Sequence, residues 1–288
     1  MTLFESLVTK NPMTVEIRRA ARRYLSFSGA NGSVTFSLLL GIIGYAILCL
    51  LVVNLRGSFH PKVVIGLQMF VGALVAPITL HASIAGERER RSWDMLMVAP
   101  VTHAQVVVGK LLGGLAVQAA IGVALLIPLL VAAVTYAGHD GVSLYGLVRL
   151  ELVALSGGAF CCAVTMLVSA RVKRAFVALG VSFAVLLLLF AFFPIVIASA
   201  GAVGGSNELN DLYFGWHPAY ALFNIEASRY DYSGGGGMIR ADNGIMGWPQ
   251  TVAMLAFTVI FTAWTIRTVA FADNEVRFLP GKKKRAQS

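Results

Sequence analysis

Apolar residues in this chain gather into six long runs separated by short polar segments. The runs cover residues 34–55, 63–85, 111–138, 147–170, 175–200 and 248–272. The hydrocarbon layer of a bilayer is about 30 Å thick, and a helix needs roughly 20 apolar residues to cross it. Backbone amides find no water there, so each run is predicted to be a helix. The third and fifth runs are long enough to tilt or to extend past the lipid. The predicted fold is therefore all-α, a polytopic membrane protein with about six transmembrane helices.

Composition agrees with this pattern. The 288 residues are 57% hydrophobic and 13% charged, whereas a soluble domain carries roughly 25% charged residues. Mean hydropathy is +0.76. The net charge of +9 does not indicate a nucleic-acid partner, because the basic residues lie between and beyond the apolar runs. With the N-terminus inside, the cytoplasmic segments are 1–33, 86–110, 171–174 and the tail from about 267. Of the 23 basic residues, only Arg56, Lys62, Arg149, Arg229 and Arg240 fall elsewhere. Lys and Arg concentrate on the cytoplasmic side of membrane proteins, which places both termini there. The first 33 residues hold no apolar core, so no cleavable signal peptide is predicted. The domain plan is a cytoplasmic segment 1–33, a membrane domain 34–272 and a basic tail 273–288 in which Lys282 to Arg285 either attract anionic lipid or form a solvated end.

Three polar segments carry candidate chemistry. In the first, Asn11 and Pro12 suit a helix start, and Met13, Ile17, Ala20 and Tyr24 share one face. With Glu16, Arg18, Arg19, Arg22 and Arg23 this makes a basic amphipathic helix for the inner interface. It is either a plain anchor or a connecting helix that also touches a cytoplasmic partner. In the second, residues 86–99, Glu87 with Arg91 and Arg90 with Asp94 have i,i+4 spacing and support a helix. Trp93, Leu96 and Met97 give it an apolar edge with no obvious partner in this chain, and Pro100 ends it. Thr102 and Gln105 have capping-box spacing for the next helix. The third lies in the outer loop 201–247. Leu212 to Phe223, with Tyr213, Phe214, Trp216, Pro218 and Tyr220, is too apolar for a free loop. It reads either as a re-entrant or interfacial exit-side segment or as an aromatic anchor.

These segments resemble a known family. "NPMTVEIRRAARR" is similar to the opening of type-2 ABC exporter permeases, and "GERERRSWDMLMVAPVTHAQVVVGKLL" to their signature. The matching positions are Glu87, Glu89, Arg90, Arg91, Ser92, Trp93, Asp94, Leu96, Pro100, Gly109 and Lys110. "HPAYALFN", from His217 to Asn224, resembles the segment before the family's last span. The chain departs from the pattern at Arg91-Ser92, where the family often has Gly-Thr. The resemblance implies a plasma-membrane permease with a coupling helix at 86–99, built from Glu87, Glu89, Arg90, Arg91, Trp93, Asp94 and Leu96 and seated on an ATPase subunit. It implies two ATPase copies that bind ATP and Mg, and a second permease, identical or related.

The chain itself has no Gly-x-x-x-x-Gly-Lys-Ser/Thr phosphate loop, so ATP hydrolysis is assigned to a separate polypeptide. Leu155-Ser156-Gly157-Gly158-Ala159 imitates an ATPase signature but lies within the fourth run, where small residues permit close helix packing. Gln68, His81, Gln118, Arg149 and Glu151 are the notable polar residues in the runs. They read as helix contacts rather than substrate ligands, with Arg149 and Glu151 near enough to the outer end to reach water. Cys49, Cys161 and Cys162 have no metal-ligand spacing and read as buried thiols. No catalytic, cofactor-binding or metal residue is predicted. The readings that stay open are a transporter permease, a membrane scaffold that transmits force without transport, and an intramembrane enzyme.

Overall fold

Where the runs are apolar, the chain is helical. The computed structural model describes residues 44–47, 61–93, 102–135, 144–196, 217–218 and 247–277, and all regular structure among them is helix. We label α1 (Pro61–Leu80), α2 (Ala85–Glu89), α3 (His103–Thr135), α4 (Leu144–Arg171), α5 (Ala175–Leu187) and α6 (Trp248–Arg277). A π-helical turn, Leu188–Phe192, prolongs α5, and helix resumes over 193–196. Five segments among the described residues are long and apolar enough to cross a membrane, matching predicted runs two to six. The first run is described only at 44–47, a helical turn whose Tyr45 hydroxyl donates to the Ala124 carbonyl at 2.7 Å. The amphipathic segment within 1–33 lies outside the described residues, as does the tail beyond 277.

Helix α4 is the centre of the bundle, and α1, α3, α5 and α6 pack around it. Of its apolar stretch 83% is buried, against 17% for the span containing α5. Its sequence explains this, because Ser156, Gly157, Gly158, Ala159, Cys161, Cys162 and Ala163 let neighbouring helices approach closely. Phe160 meets Phe190, Phe257 and Phe261 at centroid distances of 5.9, 6.1 and 5.7 Å. Apolar residues on the outer faces, such as Phe176, Leu187, Val252 and Val259, are exposed, as a lipid-facing surface requires. Three threonines on α6 are satisfied within the helix. Thr258, Thr262 and Thr265 each donate to the carbonyl four residues back, which suits a helix surrounded by hydrocarbon.

The ends of the bundle carry the aromatic and basic groups that mark membrane interfaces. At one end Trp248 donates to the Tyr145 hydroxyl at 3.3 Å. At the other the Arg171 guanidinium lies 4.6 Å from the centre of the Trp264 ring.

Two expectations are corrected. Arg149 and Glu151 are buried, at 5% and 7% exposure, instead of reaching outward to water. Glu151 accepts from Gln68 at 2.7 Å, because inside a bundle a carboxyl needs a partner from a neighbouring helix. The predicted coupling helix 86–99 is also broken. Helix α2 stops at Glu89, and Arg91 takes a left-handed conformation with φ of 57°.

Candidate functional site

The end of the bundle that holds α2 is built from hydrogen bonds that tie four elements to one short helix. The turn 81–84 joins α1 to α2, and the Ser169 hydroxyl of α4 fills it. Ser169 Oγ accepts from the Ile84 and Ala85 amides at 3.1 Å each and donates to the His81 carbonyl at 2.7 Å. One donor and two acceptors is all a hydroxyl offers, so this group is fully used. Lys110 of α3 donates to Glu87 Oε1 at 2.6 Å. Arg88 donates to the Ala170 carbonyl near the end of α4, and its guanidinium lies 5.4 Å from the centre of the Trp93 ring. The Glu89 carboxylate accepts from the Ala175 amide at 3.0 Å, at the first residue of α5. An acidic group there suits the unsatisfied amides and positive dipole of a helix N-terminus.

The end of α2 is a Schellman turn. The Ser92 amide donates to the Glu87 carbonyl and the Arg91 amide to the Arg88 carbonyl, at 3.0 and 3.1 Å. That pattern places a left-handed residue just past the helix, a position favouring glycine. Arg91 occupies it here. Replacing Arg91 with glycine is expected to stabilise the turn by about 0.5–1 kcal/mol, read as a higher unfolding temperature of the purified protein. The following helix starts as predicted. The Thr102 amide donates to Gln105 Oε1 at 2.9 Å, and the Gln105 amide to Thr102 Oγ1 at 3.2 Å, a complete capping box.

The predicted coupling residues divide into two sets. Glu87 and Trp93 turn towards the bundle, and Glu89, itself exposed, reaches the Ala175 amide. Trp93 is 8% exposed and belongs to the core with Ile84, Val106, Val107 and Leu111. It is therefore not a free apolar edge, which corrects the sequence reading. Arg90 and Arg91 remain exposed. Asp94 and Leu96 lie outside the described residues, as do Glu16, Arg18, Arg19, Arg22 and Arg23. Sequence reasoning missed Arg88, Ser169 and Ala175. No local pattern marks them, since each acts on an element distant in the chain.

A second constellation lies at mid-membrane depth. Helix α4 has 28 residues, roughly 42 Å at 1.5 Å per residue, and Gly157 stands at its middle. Pro218 packs there, 3.9 Å from where a Gly157 side chain would begin. His217 is 2% exposed, with its ring centre 5.4 Å from that of Phe190. The His217-Pro218 pair is therefore packed within the bundle. Tyr213, Phe214, Trp216 and Tyr220 lie outside the described residues. A cavity of about 190 Å³ adjoins the pair and is lined by Gly66, Phe70, Gly157, Phe190, His217 and Pro218 among others. Nearby, Gln118 donates to the Gly72 carbonyl at 2.8 Å. Among the described residues no group of three His, Cys, Asp or Glu side chains is placed to hold a metal ion.

Residues 6–278 match the family model described as ABC-2 family transporter protein. The chain belongs to this family. Membership supports a multi-pass permease subunit of an ABC transporter, a class that works with an ATPase partner. No curated protein matches the chain.

Proposed function

We propose that this ABC-2 permease is the membrane half of an ATP-driven exporter and takes work from its ATPase through α2 and the Schellman turn that follows it. The carrying observation is the division of residues at α2. Glu87, Arg88, Glu89 and Trp93 fasten the element to the bundle, while Arg90 and Arg91 are left exposed. A small element fixed on one side to several helices transmits a push from the other side to all of them together. The basic groups Arg88, Arg90, Arg91, Lys110, Arg171, Lys173 and Arg174 belong to this end of the fold, which supports reading it as the cytoplasmic side.

On this reading both termini are cytoplasmic and the plasma membrane is the site of action. ATP and Mg bind to two ATPase subunits. A second permease, identical or related, completes the pathway. The connecting helix with Glu16, Arg18, Arg19, Arg22 and Arg23 rests against the same ATPase, and the segment around Pro218 lies on the exit side. Alternating access follows from relative motion of the two permeases.

Arg90→Glu tests the docking role, because the side chain is exposed and its loss leaves the described ties intact. The variant is expected to lower ATPase retention in co-purification by about ten-fold, the equivalent of 1.4 kcal/mol, while its unfolding temperature stays at the wild-type value. Wild-type retention and wild-type ATP turnover together would remove this face from the coupling. Labelling of Arg90→Cys from outside intact cells would invert the assigned orientation.

A further inference from the structure

The polar contact between α1 and α4 leaves two atoms over. Gln68 donates from Nε2 to Glu151 Oε1 at 2.7 Å. The other oxygen of each group, Gln68 Oε1 and Glu151 Oε2, is buried and has no hydrogen-bond partner. With the carboxyl ionised both are acceptors, so neither can serve the other. Both residues are more than nine-tenths buried, at 4% and 7% exposure. Glu151 stands six residues from Gly157, roughly 9 Å along α4, and so within the hydrocarbon layer. Orphaned acceptors are costly at that depth.

Among the described residues no cation is paired with Glu151. Helix α3 closes on the pair at Gly122, where a side chain would begin 2.6 Å from Glu151 Oε1 and 3.2 Å from Gln68 Nε2. Gln118, one turn before Gly122, is already committed to the Gly72 carbonyl. Tyr45 donates to the Ala124 carbonyl. Helix α1 has no titratable side chain from Val63 to Leu80, and α3 has none after Lys110. Residues 175–196 add none, nor does α6 before Arg267. On α4 itself Arg149 is two residues away, about 200° around the helix, and its guanidinium lies 4.6 Å from the centre of the Tyr145 ring. Cys161 and Cys162 stand further along α4, and His217 packs beside Phe190.

One proton resolves both orphans. Placed on Glu151 Oε2, it makes that oxygen a donor, and the acceptor it needs is Gln68 Oε1. The two planar groups then share an N–H···O and an O–H···O bond and carry no charge. We propose that Glu151, paired with Gln68, is a proton-binding site within the membrane, its carboxyl holding the proton on Oε2 and donating it to Gln68 Oε1 in a second hydrogen bond. Release of the proton to water leaves a carboxylate with a single amide donor, enclosed by Gly122. Entry of water or separation of α1 from α4 relieves that state. Proton occupancy therefore sets how firmly these two helices hold together. The site goes beyond the function proposed above and requires neither an ATPase nor a substrate.

The test is infrared spectroscopy of the full-length permease in lipid nanodiscs at about pH 7, where an ordinary carboxyl is ionised. The wild-type spectrum is expected to contain a carboxylic acid carbonyl band that disappears in Glu151→Gln. The band is expected to be the same whether the salt is sodium or choline chloride. Gln68→Leu is expected to keep the band and move it to higher frequency, because the acid loses its hydrogen-bond partner. This second variant reads the site even where Glu151→Gln does not fold. Absence of the acid band from the wild-type protein would overturn the proposal, as would its persistence in Glu151→Gln. A band that appears only when sodium is withdrawn would make this a metal-cation site instead. An unmoved band in Gln68→Leu would overturn the pairing. Each readout uses the permease alone, so failure here is distinguishable from failure of the coupling proposal.

Discussion

Trp93→Ala is expected to destabilise the α2 end by about 3–5 kcal/mol, the range for removing a large buried aromatic side chain. Trp93 is among the most consequential side chains there because it meets two requirements. It is buried in the same core cluster as Ile84, Val106, Val107 and Leu111, and its ring lies 5.4 Å from the Arg88 guanidinium. Arg88 in turn donates to the Ala170 carbonyl. Removing the indole opens a cavity and takes away the surface that holds Arg88 in place, so the tie to α4 is expected to weaken as well. Trp93→Phe keeps an aromatic face and most of the volume, and is expected to cost less than half as much. The measurement is the unfolding temperature of the purified permease, followed by ATP turnover of the complex. Under the proposed function, Trp93→Ala retains its ATPase at close to wild-type level but loses stimulation of ATP hydrolysis by substrate, because Arg90 and Arg91 still present the docking face on an element that no longer pushes firmly. A stable Trp93→Ala protein would contradict the burial argument, and a stimulated one the coupling argument.

The parts of this protein that could be read from its sequence are those set by local or additive physics. Spans two to six follow from run length, because lipid thickness fixes how many apolar residues a helix needs. The Thr102–Gln105 cap follows from a three-residue spacing, and the structure contains both of its bonds. The break after Glu89 was hidden because an arginine, not a glycine, occupies the left-handed position. The only trace was the departure at Arg91-Ser92 from the Gly-Thr of the resembling family. Trp93 was misplaced because an i,i+4 pattern gives the direction of a side chain only while the helix continues, and this one ends first. Gln68 meets Glu151, and Glu87 meets Lys110, through tertiary packing that no window along the chain contains. The π turn did have a signal in Pro194, since a proline within a span calls for a local rearrangement.

Charge reversal at Lys110 is expected to be the other severe change. Its side chain is 8% exposed and that of Glu87 25%, with Nζ and Oε1 2.6 Å apart. Breaking a buried pair by removing one partner costs roughly 3–5 kcal/mol because the remaining charge is stranded. The quarter exposure of Glu87 points to the lower end of that range for Lys110→Ala, and Lys110→Glu adds repulsion between two carboxylates. A double-mutant cycle separates the pair from its surroundings. Lys110→Met with Glu87→Leu removes both charges and fills a similar volume, so the double variant is expected to recover most of the stability lost by Lys110→Met alone. Recovery of stability does not imply recovery of coupling. The ion pair fixes the register of α2 on α3, whereas two apolar side chains tolerate sliding, so the double variant is expected to fold normally and still transmit poorly. Unfolding temperature and substrate-stimulated ATP turnover, measured on the four proteins of the cycle, distinguish these roles. If both quantities recover together, the pair contributes only to folding. If stability recovers and stimulation does not, the Glu87–Lys110 contact holds α2 in the position from which it moves α3.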